Sequence, residues 1–209
     1  MRVWTIQPMG VWDEARRQGV AWVDPSSRVD PKGCEPGYVP PQYEWLTAQL
    51  VRRRGWTPGR LPWWAYCAKP DLRRCRHRPH MPRLQARLEL ELPPERAFVI
   101  PCWAWNAVHC QDYVAFSQAE ERDWRARMLA AVPLDPDATD EPTPLWPLPE
   151  PWRSELEASW ERLFDPRLPA IGWSPAWGDE REAVFEEIRR EDVRKVAPFT
   201  AVGWPASRM

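Results

Sequence analysis

Proline restricts this chain more than any other residue, filling 26 of the 209 positions. Inside a helix it removes a hydrogen bond and clashes with the preceding turn; inside a sheet it interrupts the ladder. A plain helical bundle is therefore excluded, and helices must be short and bounded. The prolines gather at 25–41 and 133–151, where they stiffen connections. Residues 133–152 read as an internal linker within one domain spanning 1–209. Tryptophan is the second anomaly, at 16 positions, so much of the buried surface must be indole.

Hydrophobic periodicity places the elements. Leu84, Ala86, Leu88, Leu90 and Leu92 alternate with Gln85, Arg87, Glu89 and Glu91, which predicts a strand with one buried and one wet face. Arg2–Gln7, Val20–Val23 and Ala97–Ile100 read as further strands, and Leu61–Cys67 as an edge strand because Pro62 cannot donate to a ladder. Helices are expected at Val11–Gln18, closed by Gly19, and from Pro40-Pro41 to Arg54, closed by Gly55. Trp103–Phe116, Ala119–Val132 and Arg153–Phe164 also read as helices. Arg181–Ile188 fits a helix by its glutamates and a strand by Ala183 and Phe185. The expected fold is a single α+β domain with a small mixed or antiparallel sheet, flanking helices and proline-rich loops.

Charge is near balance, at −1, but unevenly laid out. Between Arg52 and Arg87 eleven basic residues face only Asp71. Such a segment suits the phosphates of a nucleotide or of nucleic acid, and a nucleic-acid- or protein-binding module built on 52–87 is one reading. Pairing with the acidic second half is the other, and net neutrality argues against a general polyanion binder. No stretch of about 18 apolar residues is present, and the charged first 25 residues lack a signal core. With five cysteines, an odd number, the chain is expected in the reducing cytoplasm rather than at a membrane.

Strong catalytic motifs are missing: there is no phosphate-binding glycine loop, no HExxH and no GxSxG. Cys67, Cys75, His77 and His80 cluster, but their C-x7-C-x-H-x2-H spacing among arginines suits a metal poorly. His109 and Cys110 are neighbours that would point about 100° apart on a helix, too divergent to pair. Acid, arginine and aromatic chemistry remains. Trp63, Trp64 and Tyr66 precede Arg73, so rings and a guanidinium could hold a base and its phosphate, or the rings could form a core strand. Glu182, Glu186 and Glu187 could supply a carboxylate or a solvated face.

Several segments together resemble the uncharacterised bacterial family called domain of unknown function 3841. They are Trp4-Thr5-Ile6-Gln7, Pro62-Trp63-Trp64-Ala65-Tyr66, Lys69-Pro70-Asp71-Leu72-Arg73 and Ser159-Trp160-Glu161-Arg162-Leu163-Phe164-Asp165. Glu182-Ala183-Val184-Phe185 stands where the family has a terminal Gln-Ala-x-Phe-like segment, and the resemblance implies that it is a strand. A more distant likeness is to small ADP-ribosyltransferases, which open with a strand, a short helix and a second strand. In that likeness Thr5 or Gln7 and the catalytic Tyr66 and Glu182 take comparable places, with NAD as the implied ligand. Trp63, Trp64, Tyr66 and Arg73 are expected to line a nucleotide- or anion-binding cleft.

Overall fold

The computed structural model describes residues 1–23, 39–72, 84–137, 142–145, 147–169 and 180–200. They form two compact units, Met1–Val99 with Arg181–Met209, and Ile100–Glu180. The class is α+β. In the first unit strand β1 (Arg2–Pro8) runs into helix α1 (Met9–Gln18), which Gly19 ends in the left-handed region at φ 85°. Helix α2 (Pro41–Arg54) begins on Pro41, whose fixed φ suits a first turn, and stops at Gly55, φ 69°, whose N–H donates to the Val51 carbonyl.

One six-stranded sheet dominates. Besides β1 it contains β3 (Trp63–Tyr66), β4 (Leu84–Glu91), β5 (Ala97–Pro101), β6 (Arg181–Phe185) and β8 (Val193–Thr200), in the order β5-β6-β3-β1-β4-β8. The β1–β3, β1–β4, β3–β6 and β4–β8 pairs are antiparallel. A small ladder joins β2 (Val20–Ala21) to β7 (Ile188–Arg189). Arg181–Phe185 is therefore strand, as the family likeness implied.

The expectation of an edge strand at Leu61–Cys67 is overturned. β3 lies between β1 and β6, and Pro62 sits one residue before the ladder, so its missing N–H breaks nothing. The β4 alternation holds over most of its length and inverts at the start, where Leu84 is 54% exposed and Gln85 only 1%. Gln85 is flanked by Pro8 and Phe199, whereas β1 has no residue opposite Leu84.

The pleat sorts the sheet into two faces. Val3, Leu88, Leu90, Trp63, Ala65, Ala183 and Phe185 share one buried cluster with Ala15 of α1 and Ala21 of β2. The other face carries Trp64, and Tyr43 of α2 meets that ring edge-on at 6.1 Å. Arg96 closes the sheet's periphery, donating through Nη1 to both oxygens of buried Asp192 at 3.1 and 2.8 Å.

The second unit holds α3 (Cys102–His109), α4 (Gln118–Ala131, capped by Ser117) and α5 (Trp152–Trp160). The helix expected through Phe116 ends at His109 instead. Gln111 takes a positive φ of 61°, and the backbone beyond it bonds to α5 and the turn after it: Trp160 Nε1 donates to the Asp112 carbonyl at 3.0 Å. The Val114 N–H donates to Ser159 Oγ at 3.0 Å, and Arg162 Nη1 donates to the Val114 carbonyl at 2.8 Å. The Ser159–Asp165 motif is thus an anchor for residues 112–116.

That motif ends in Asp165, which accepts from the Arg167 N–H and guanidinium at 2.6–3.2 Å. These bonds hold its carboxyl at about 2. A depressed folded value gives stabilisation that is complete above the unfolded carboxyl value, about 3.9, and lost as pH falls toward the folded one. Asp165→Asn should therefore lower the urea midpoint at neutral pH, and the gap to wild type should close by about pH 2. Urea titrations over that range measure it; a gap independent of pH would contradict the assignment.

Candidate functional site

Strand alternation and register build the site. Tyr66 on β3 stands directly opposite Glu182 on β6 and, on its other side, opposite Trp4 on β1. Trp4 in turn stands opposite Glu89 on β4, which stands opposite Lys195 on β8. Directly opposed residues share a face, with Cβ atoms about 4.5–5.5 Å apart. Glu182, Tyr66, Trp4, Glu89 and Lys195 therefore form one row across five strands, on the face away from the buried cluster. The first four are half-buried and Lys195 is exposed.

Polar contacts brace this row. Trp4 Nε1 donates to Glu89 Oε2 at 3.3 Å, and Arg2 Nη1 lies 3.6 Å from Glu89 Oε1. Beside the row Ile6 stands opposite Arg87, whose Nη1 donates to the Pro70 carbonyl at 3.0 Å. That bond ties the Lys69–Leu72 loop to the sheet. Burial pushes the Cys67 thiol up, Arg181 pulls it down, and Glu182 pushes it up again. The field of Glu182 thus reaches the residue next to Tyr66.

The structure brings together some of the residues chosen from sequence and separates others. Tyr66 and Glu182 are nearest neighbours, and Trp64, opposite Val184, shares their face under α2. Thr5 and Gln7 stand opposite Leu88 and Ala86, on the core side. Thr5 is 1% exposed; its hydroxyl donates to the Trp64 carbonyl at 2.7 Å and accepts from Gln7 Nε2 at 2.7 Å. Their chemistry is to lock β1 to β3. Trp63 also faces the core, its Nε1 donating to the Ala21 carbonyl at 3.2 Å. Arg73, together with Cys75, His77 and His80, lies outside the described residues.

Sequence reading passed over Trp4 and Glu89 as site residues. The signal was present in the alternation of β1 and β4, but only the register puts the two in line with Tyr66. In the basic segment, Arg54 lies over the Phe98 ring at 5.3 Å and Arg60 over Trp22 at 4.2 Å. Arg52 and Arg53 donate to Gln49 on their own helix. Among the described residues no helix is long and apolar enough to cross a membrane.

No curated protein and no solved structure matches the chain. One family model does, over residues 2–194, a span that contains the row from Trp4 to Glu182. The chain belongs to the family described as Domain of unknown function (DUF3841).

Proposed function

We propose that the Glu182–Tyr66–Trp4 face binds NAD and transfers its ADP-ribosyl group. The observation that carries this reading is the register, which sets a carboxylate beside a tyrosine and a tryptophan on one half-buried sheet face. Aromatic rings suit the nicotinamide, and a carboxylate suits the positive charge that develops on the ribose as its glycosidic bond lengthens. In the step itself the bond from nicotinamide nitrogen to ribose C1′ breaks, and its electron pair leaves with nicotinamide. An oxygen nucleophile of the acceptor forms the new bond to C1′ and gives up its proton to Glu182 or to water.

The placement of Arg54 over the Phe98 ring and of Arg60 over the Trp22 ring favours this reading over a nucleic-acid module built on 52–87, because these two guanidinium groups already have partners within the chain. The cytoplasm, where NAD is plentiful and thiols stay reduced, is the compartment that goes with it. Calorimetric titration of the full chain with NAD, followed by incubation with NAD labelled in nicotinamide, tests the proposal. Binding and release of labelled nicotinamide are expected, and absence of binding at millimolar NAD would overturn it.

A further inference from the structure

We infer that the cavity between helix α2 and the turn at 56–61 binds a small neutral apolar molecule carrying one hydroxyl group, with Thr47 as its polar contact. The cavity lies in the first unit, and the inference is independent of the NAD reading.

Size and construction come first. The cavity measures about 510 Å³, inside the range of about 300–1,000 Å³ usual for small-molecule sites. Thr47, Ala48 and Val51 of α2 supply one wall, and Pro58 and Leu61 of the turn supply the other. The α2 wall flanks the buried stripe of that helix, where Leu46 and Leu50 are fully enclosed. The turn is fastened to other parts of the unit. The Thr57 N–H donates to Glu186 Oε1 at 2.8 Å, Arg60 lies over the Trp22 ring at 4.2 Å, and Trp56 and Leu61 are buried. These anchors hold the turn off the helix. Apolar space left open in a folded chain lowers its stability, and a molecule that fills it restores the lost contacts.

Polar groups set the character of the guest. Thr47 is only 7% exposed, and its hydroxyl has no hydrogen-bond partner among the described residues. A buried hydroxyl left alone is costly, which makes it the group a ligand would satisfy. Threonine on a helix has two favoured χ1 wells, so this hydroxyl can turn to a ligand hydroxyl, which both donates and accepts. Glu44 and Arg52 also line the cavity, about two helical turns apart and opposite in sign. Their fields offset each other, so a neutral guest is preferred to an anion or a cation.

Ligand-detected NMR of the full chain with p-cresol and toluene, which differ only in the hydroxyl, tests the inference. p-Cresol should bind at millimolar concentration and about fivefold more tightly than toluene, the ratio for one neutral hydrogen bond. Its anionic and cationic counterparts, p-toluate and p-methylbenzylammonium, should bind more weakly than p-cresol. Intermolecular NOEs from p-cresol to the Val51 and Leu61 methyl groups should locate it without any variant. Thr47→Val removes the hydroxyl and keeps the branched shape. It should bring the p-cresol to toluene ratio to one, leave toluene binding as it was, and hold or raise the melting temperature. Ala48→Phe sets a ring into the cavity from an exposed helix position and should abolish binding of both probes. Absence of p-cresol binding, NOEs to other methyl groups only, binding that survives Ala48→Phe, or tighter binding of either ion overturns the site. Equal affinity for p-cresol and toluene, or a ratio that survives Thr47→Val, overturns the hydroxyl contact. So does a marked fall in melting temperature for Thr47→Val, since it would show that the hydroxyl is already bonded within the chain.

Discussion

Glu182→Gln should reduce release of nicotinamide from NAD by about 10²–10³-fold while changing NAD affinity only severalfold. Glutamine has the shape of glutamate and can still hydrogen-bond, but it carries no charge. The loss therefore falls on the transition state, where the ribose has become positive, rather than on the bound substrate. Tyr66→Phe, across the strand, keeps the ring and should retain NAD affinity, whereas Tyr66→Ala removes the ring and should weaken it. The fold tolerates the Gln variant because the Glu182 side chain is half-buried at the sheet face and outside the apolar cluster. Its removal has a second signature. Glu182 pushes up the neighbouring Cys67 thiol, so the variant should alkylate faster at Cys67 near neutral pH. An unchanged rate of nicotinamide release, in a variant with that faster alkylation, would sink the catalytic role.

Arg162→Ala should destabilise the second unit by about 2–4 kcal/mol. The guanidinium donates through Nη1 to Glu120 Oε1 at 2.7 Å and to the Val114 carbonyl, and through Nη2 to the Tyr113 hydroxyl at 3.1 Å. It also lies 4.7 Å from the Phe116 ring centre and 5.0 Å from that of Tyr113. Truncation leaves Glu120 and a backbone carbonyl short of partners at once. The loss is smaller than for a fully buried pair because the two side chains keep 22% and 34% of their exposure and water screens them. Burial works to raise the Glu120 carboxyl, but the Phe116 N–H, Arg162 and the Tyr113 hydroxyl together hold it below its ordinary value. The stabilisation is thus full above the unfolded carboxyl value, about 4.3, and fades as pH falls below it. Arg162→Lys keeps the charge and loses the fork, so it should recover only part of the loss. Urea unfolding and exchange of the Val114 amide follow the effect; an Arg162→Ala loss under about 0.5 kcal/mol would show that the motif is not an anchor.

This assignment changes the meaning of the longest family-like segment. Ser159, Trp160, Arg162 and Asp165 are each engaged with residues 112–120 or with Arg167. Their identities are explained by packing and hydrogen bonding within one unit. The segments at Trp4 and Tyr66, by contrast, supply half-buried side chains to a sheet face.

Much of the fold could be read directly from residue order. Glycine at 19 and 55 ends α1 and α2 because only glycine enters the left-handed region at no cost, and Pro41 opens α2 because its φ is already helical. The period of two in β4 needs nothing beyond the pleat. These are local rules, acting over a few residues. The helix at 102–109 stops early for a non-local reason, since its continuation is drawn to Ser159, Trp160 and Arg162 about 45 positions away.

The candidate site divides in the same way. Residue types left several aromatic rings and three glutamates open, and the likeness to small ADP-ribosyltransferases singled out Tyr66 and Glu182 among them. Which residues accompany them was decided by pairing. A strand sends neighbours to opposite faces, so the offset of β1 against β3 and β4 settles whether Trp4 or Thr5 joins Tyr66. The observed register sends Thr5, Gln7 and Trp63 to the core side and lines Trp4 and Glu89 up with Tyr66 and Glu182. A slip of one residue would reverse that assignment. Burial of Val3, Leu88 and Leu90 against α1 is what prevents the slip, and that burial exists only in the folded sheet.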